Sequence, residues 1–246
     1  MGAAGPPGYH RAMPEFTLRS PAGLLRARHD PPESAAPADG PRGALVCHPH
    51  PVQGGTMDNK VVVKLAQVLR RRGLHVVRFN FRGAGGSEGV HDQGRGERDD
   101  ARAALDHLAG LVDGGPLLAA GFSFGAWVGL TAAADDDRVV ARLAVAPPVN
   151  HYDFSAVAAD PSPLAVIYAE ADELVPADAV RAWLAGPQGA AGGVGGSGRP
   201  PALRAYPVAG AGHLFHAHLK PLADAAGDWL DGLAFPDGGP PVHSAP

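Results

Sequence analysis

The 246-residue sequence has a single cysteine, Cys47, so no disulfide can form within the chain. That suits the cytosol, where thiols stay reduced. No apolar run approaches the ~20 residues needed to cross a bilayer. The first twelve residues are rich in Gly and Pro and lack the apolar centre of a signal peptide. Charge of one sign is also scarce: 21 Lys and Arg face 25 Asp and Glu, a net of -4. Without a basic excess, neither nucleic acid nor an anionic membrane is expected as a main partner. The twelve histidines do not change this at neutral pH, where most are uncharged. A cytoplasmic protein acting on small molecules is the expectation, and the composition leaves a homodimer open.

What is present suits a single globular domain. Hydrophobic residues make up 45% and charged residues 19% of the chain, and α/β domains often reach ~250 residues as one unit. The expected organisation is one domain over 13–234, between disordered Pro/Gly-rich tails at 1–12 and 235–246. Residues 186–201, Gly-Pro-Gln-Gly-Ala-Ala-Gly-Gly-Val-Gly-Gly-Ser-Gly-Arg-Pro-Pro, read as a flexible surface insert. So much glycine buries too little side chain to offset its ordering entropy.

Short apolar runs predict strands at Ala44–Cys47, His75–Asn80, Pro116–Ala120, Leu143–Val145 and Leu164–Tyr168, with a weaker one at Leu203–Tyr206. Helical periodicity links Ala101, Ala104, Leu105, Leu108, Leu111 and Val112, and again Leu219, Leu222, Ala223, Ala226, Trp229, Leu230 and Leu233. Met57–Arg72 predicts a third helix, closed by Gly73. Glu15–Arg19 and Leu24–Arg28 flank Ser20-Pro21-Ala22-Gly23, which predicts a hairpin. Together these specify an α/β fold: a mainly parallel twisted sheet with helices on both faces and an N-terminal antiparallel hairpin.

The segment Gly121-Phe122-Ser123-Phe124-Gly125 lies between a strand and a helical run starting at Ala126. G-x-S-x-G at a strand-to-helix turn lifts the serine oxygen above the sheet, which makes Ser123 the candidate nucleophile. A serine nucleophile needs a base, and the base an orienting acid. Asp172 follows the strand at Leu164–Tyr168 and is the favoured acid, with Glu170 and Glu173 as rivals. His213, in Ala209-Gly210-Ala211-Gly212-His213, follows the last strand and is the favoured base; His216 and His218 fall at or inside the next helix. No carboxylate or cysteine is placed to complete a metal site with these histidines, so no metal is expected.

Two backbone N–H groups are needed to stabilise a tetrahedral oxyanion. Phe124, directly after Ser123, is one. The other is expected from His48-Pro49-His50-Pro51, where only His50 has an N–H between the two prolines. The His48 side chain reads as a buried group that fixes this loop, or as part of the pocket. The connection Ala146–Ser162 is too short for a cap domain, and Val149, Tyr152 and Phe154 on it are candidate pocket walls. Asn80-Phe81-Arg82-Gly83-Ala84-Gly85-Gly86-Ser87 lacks the Gly-Lys-Ser/Thr ending of a phosphate loop. It reads as a structural loop with Arg82 paired locally, and no cofactor is expected.

Taken together, these residues resemble the α/β-hydrolase superfamily over about residues 15–234. The motifs His48-Pro49-His50-Pro51 through Gly54-Gly55-Thr56-Met57-Asp58-Asn59-Lys60, and Phe79-Asn80-Phe81-Arg82-Gly83, resemble a small bacterial subgroup of lidless hydrolases or carboxylesterases. The resemblance implies a compact serine hydrolase with a Ser-Asp-His triad at Ser123, Asp172 and His213. A carboxylesterase acting on small acyl esters is the expected activity. A thioesterase or acyltransferase on the same triad, or a non-catalytic binding protein of this fold, are the alternatives.

Overall fold

The computed structural model describes residues 15–34, 42–186 and 203–235. The expected tail at 1–12, nearly all of the insert at 186–201 and all but the first residue of the tail at 235–246 lie outside them. An eight-stranded sheet runs in the order β1-β2-β4-β3-β5-β6-β7-β8. The strands are β1 (Glu15–Ser20), β2 (Gly23–Asp30), β3 (Arg42–Cys47), β4 (Leu74–Phe79), β5 (Leu117–Phe122), β6 (Val139–Val145), β7 (Leu164–Ala169) and β8 (Leu203–Val208). β1 and β2 form the expected hairpin, and β2 pairs antiparallel with β4; the remaining pairs are parallel.

Alternate residues of each strand point to opposite faces, and each face carries helices. Leu45, Cys47, Val77 and Phe79 pack with α2 (Arg95–Leu111) and α3 (Phe124–Ala133). Ala44, Val46, Val76, Leu118 and Ala120 pack with α1 (Lys60–Arg71) and the C-terminal helix, here α6 (Leu219–Asp231). Between β6 and β7 lies only α4 (Ser155–Ala159), and α5 (Ala177–Leu184) follows β7.

α1 starts three residues later than the periodicity suggests. Met57 is held outside it: its N–H donates to Asn80 Oδ1 at 2.8 Å and its carbonyl accepts from Arg78 Nη1 at 2.6 Å. Asn59 then caps the helix, its Oδ1 accepting the Val61 N–H at 2.9 Å. Arg78 also pairs with Asp30, and both are buried. The two motif stretches around Met57 and Asn80 therefore meet as one polar network at the carboxyl end of β4.

The topology fixes where a ligand can sit. After β3 the chain crosses to β4 on one side; after β4 it crosses back to β5 on the other. Loops leaving the carboxyl ends of β3 and β5 diverge and open a crevice between them. His48–His50 and Ser123 lie on those two loops.

Candidate active site

Ser123 links β5 directly to α3. Its φ is +54°, a left-handed conformation that a non-glycine residue adopts at a cost of ~1–3 kcal/mol. Its N–H donates to Val145 O at 2.8 Å, which ties the turn to β6. The flanking glycines are demanded by contact. A side chain at Gly121 would run into the backbone of Gly125, and one at Gly125 into the carbonyls of His48 and Cys47.

His213 and Asp172 arrive from the loops after β8 and β7. His213 Nε2 lies 2.9 Å from Ser123 Oγ, and His213 Nδ1 lies 2.9 Å from Asp172 Oδ2. A carboxylate only accepts, so Nδ1 carries the proton and Nε2 accepts from the serine hydroxyl. Both side chains are nearly buried, at 5% and 2% exposure. Burial pushes the Asp172 carboxyl up, but the His213 hydrogen bond and the Val175 and Leu174 amides outweigh it and hold the carboxyl below its usual range. Of the rival acids, Glu170 pairs with Arg181 at 2.8 Å, and Glu173 accepts the backbone N–H of His213. His216 and His218 do not line the cleft.

On the opposite wall, His48 is fully buried. Its Nε2 accepts the Phe81 N–H at 2.9 Å, so Nδ1 carries the proton and donates to Pro49 O at 2.6 Å. Burial holds its pKa down to about 4, leaving it neutral. His48 therefore fastens the Pro49 peptide, next to the His50 N–H, to the end of β4. The His50 ring accepts the Val52 N–H at 3.3 Å and packs 4.9 Å from the Phe124 ring. The N–H of Phe124, at the first position of α3, has no acceptor in its own helix.

The cleft has a volume of about 400 Å³ and is lined by His50, Gln53, Ser123, Phe124, Pro148, His151, Tyr152, Leu174, Val175 and His213. Of the four expected pocket residues, only Tyr152 lines it. It stacks on Trp127, with ring centroids 4.2 Å apart. His48 is drawn into the core by its two hydrogen bonds. Phe154 turns inward at the start of α4 against Trp183, at 5.5 Å, and Val149 packs on the core below.

Two further features had no sequence signal. Leu174 and Val175 wall the cleft because they wrap the Asp172 carboxylate. The fully buried Glu97 accepts from His91 Nδ1 at 2.8 Å and from the Asp92 and Gly94 amides, and the His91 ring packs 4.8 Å from that of His50. Arg82 is paired locally as expected, bidentate to Asp100 at 2.9 and 2.8 Å. Among the described residues no group of three or more His, Cys, Asp or Glu is arranged to hold a metal, and no helix is long and apolar enough to cross a membrane.

A Ser-His-Asp hydrogen-bonded chain on a strand-to-helix turn, at the switch point of a mostly parallel sheet, belongs to the α/β serine hydrolases as a class. Known proteins agree. A structure described as an α/β serine hydrolase homologue from Coxiella burnetii is 33% identical, with a TM-score of 0.77, covering 91% of this chain and 100% of its own. One from Xanthomonas campestris, described as an a/b serine hydrolase without lid, is 35% identical, with a TM-score of 0.77, covering 94% and 100%. A protein of Rickettsia prowazekii, itself described as uncharacterized, is 40% identical over 175 residues, 69% of this chain and 71% of its own length. Residues 7–159 match the family model of the X-Pro dipeptidyl-peptidase (S15 family). The chain belongs to that family, within the α/β-hydrolase superfamily.

Proposed function

We propose that the protein is a carboxylesterase that cleaves small, uncharged acyl esters through an acyl-enzyme on Ser123. The observation that carries this reading is the continuous hydrogen-bonded chain from Ser123 Oγ through His213 to Asp172 at the base of an open cleft. As Ser123 Oγ bonds to the ester carbonyl carbon, its proton passes to His213 Nε2. Asp172 stays ionised and stabilises the imidazolium. The His50 and Phe124 amides take the oxyanion, a contribution worth ~10²–10³ in turnover per donor. The C–O bond to the alcohol breaks and the alcohol leaves with the His213 proton. Water then attacks the acyl-serine, giving its proton to His213, and Ser123 is restored.

The S15 match favours a second reading, removal of X-Pro dipeptides. Such a substrate brings a free α-ammonium that needs a partnering acceptor, best a carboxylate. Among the described residues lining the cleft, the only titratable side chains besides Tyr152 are histidines, which supports a neutral ester instead. A thioester would use the same machinery.

A fluorophosphonate probe tests the core of the proposal. It should label the wild type strongly and Ser123→Ala not at all; failure to label well-folded wild type would exclude a serine hydrolase. Matched esters and thioesters of one acyl chain, beside an Ala-Pro p-nitroanilide, then decide among the substrates. Faster turnover of the anilide than of the ester reverses the order of the two readings.

A further inference from the structure

The Ser123–His213–Asp172 chain accounts for the imidazole but not for what holds the loop that carries it. That loop leaves the edge strand β8, and His213 must stay in line between two partners on different elements. The acid loop after β7 grips it at three points. The Ala171 N–H donates to Ala211 O at 2.9 Å, and Asp172 takes the imidazole Nδ1. The third grip is from Glu173, whose Oε2 accepts the backbone N–H of His213 at 3.1 Å. Of these three, the Glu173 contact is the one made at the main chain of the histidine itself.

Gly212 leaves room for the contact. A Cβ at this position would stand 2.9 Å from Glu173 Oε2, so a side chain there makes the flexible end of the glutamate shift slightly on its amide. The acid and histidine loops thus meet at a glycine and a glutamate thirty-nine residues apart. Glu173 is not itself among the residues that line the cleft. It acts through His213 alone.

We infer that Glu173 is a positioning residue: with Asp172 on the ring and Glu173 on the main chain, two adjacent carboxylates orient one histidine. This rests on the serine-hydrolase reading above. The role needs an acceptor oxygen rather than a charge, since a backbone N–H is satisfied by either. Glutamine should therefore serve, and alanine should not.

The test compares Glu173→Gln, Glu173→Ala and Gly212→Ala on a p-nitrophenyl ester and by the rate of fluorophosphonate labelling of Ser123, which does not depend on the natural substrate. Glu173→Ala should lower kcat and the labelling rate roughly tenfold, the scale of one lost hydrogen bond of ~1.5 kcal/mol, with KM unchanged; Gly212→Ala, which the flexible carboxylate accommodates by a small shift, should lower them less. Glu173→Gln should stay within about twofold of wild type. Because both alanines act on one contact, the double variant should lose no more than Glu173→Ala alone. Wild-type rates in Glu173→Ala overturn the inference. A loss in Glu173→Gln equal to that in Glu173→Ala also overturns it, and assigns the effect to charge. If Glu173→Ala does not fold, Glu173→Leu, which keeps the bulk of the stem and lacks the acceptor, decides by the same tenfold loss. If wild type is not labelled at all, the serine-hydrolase reading fails and this inference with it. Labelling of wild type and Glu173→Ala at one rate fails this inference alone.

Discussion

At the scale of single residues, three neighbouring carboxylates divide three tasks. Glu170 meets Arg181, Asp172 the imidazole of His213 and Glu173 its backbone amide. Asp172→Asn replaces an oxygen that accepts from Nδ1–H with an amide that favours the wrong tautomer, and should cost ~10³–10⁴ in kcat. Glu170→Gln should keep wild-type turnover; the reverse pattern in steady-state kinetics would move the acid to Glu170. His48 yields a prediction in pH. Its ring is neutral and buried, with its pKa held to about 4 against an ordinary 6.5. The unfolded chain binds the proton near pH 6.5 and the folded chain only near pH 4. Its contribution to stability is therefore whole above pH 6.5 and is lost as pH falls through that window, by about 3 kcal/mol. Denaturant titrations at pH 7 and pH 4 should show wild type losing about that much more than His48→Asn.

At the scale of elements, what the sequence made legible was what local pattern determines. The hairpin around Pro21-Ala22, the strands feeding each loop and the apolar faces of α2 and α6 follow from periodicity and turn chemistry. So does the strand-to-helix turn at Ser123, where Gly121 is required by the turn's own backbone; Gly125 answers instead to the Cys47 and His48 carbonyls on another strand's end. The pocket wall was legible only at Tyr152. Whether Phe154 faces the cleft or the core depends on α4, five residues without a period of their own. What fixes that segment is Arg142, reaching out from β6 with 1% exposure. It donates to the carbonyls of Val157, Asp160 and Ser162 and pairs with the Asp160 carboxylate at 3.2 Å. An arginine in an apolar strand shows no such partners in sequence, since they lie fifteen to twenty residues on. Burial lowers its pKa to about 10, which leaves it charged at neutral pH. Removing one partner of a buried pair costs ~3–5 kcal/mol. Arg142→Met should lower the unfolding free energy by about that much in urea. It should also weaken ester binding, because Tyr152 and Pro148 ride on the same connection.

At the scale of the whole molecule, the sheet holds a chemical site with no cover built from the β6–β7 connection. His213 and Ser123 line a cleft of about 400 Å³ whose apolar walls are Phe124, Pro148, Tyr152, Leu174 and Val175, with Asp172 behind the imidazole. A cavity of that size takes a small ligand and no more. Each methylene that leaves water for such walls gains ~0.8 kcal/mol, about fourfold in kcat/KM. That gain ends where the chain emerges from the mouth, since further carbons stay in water in both states. For p-nitrophenyl esters from acetate upward, kcat/KM should therefore climb by up to about fourfold per carbon and then level off within the medium-chain range. With no cap among the described residues to open at an interface, rates should also pass smoothly through the micelle concentration of the longer esters. A continued climb through long chains, or a jump in rate when the substrate aggregates, would mean that another part of the chain closes over the cleft and extends its apolar wall.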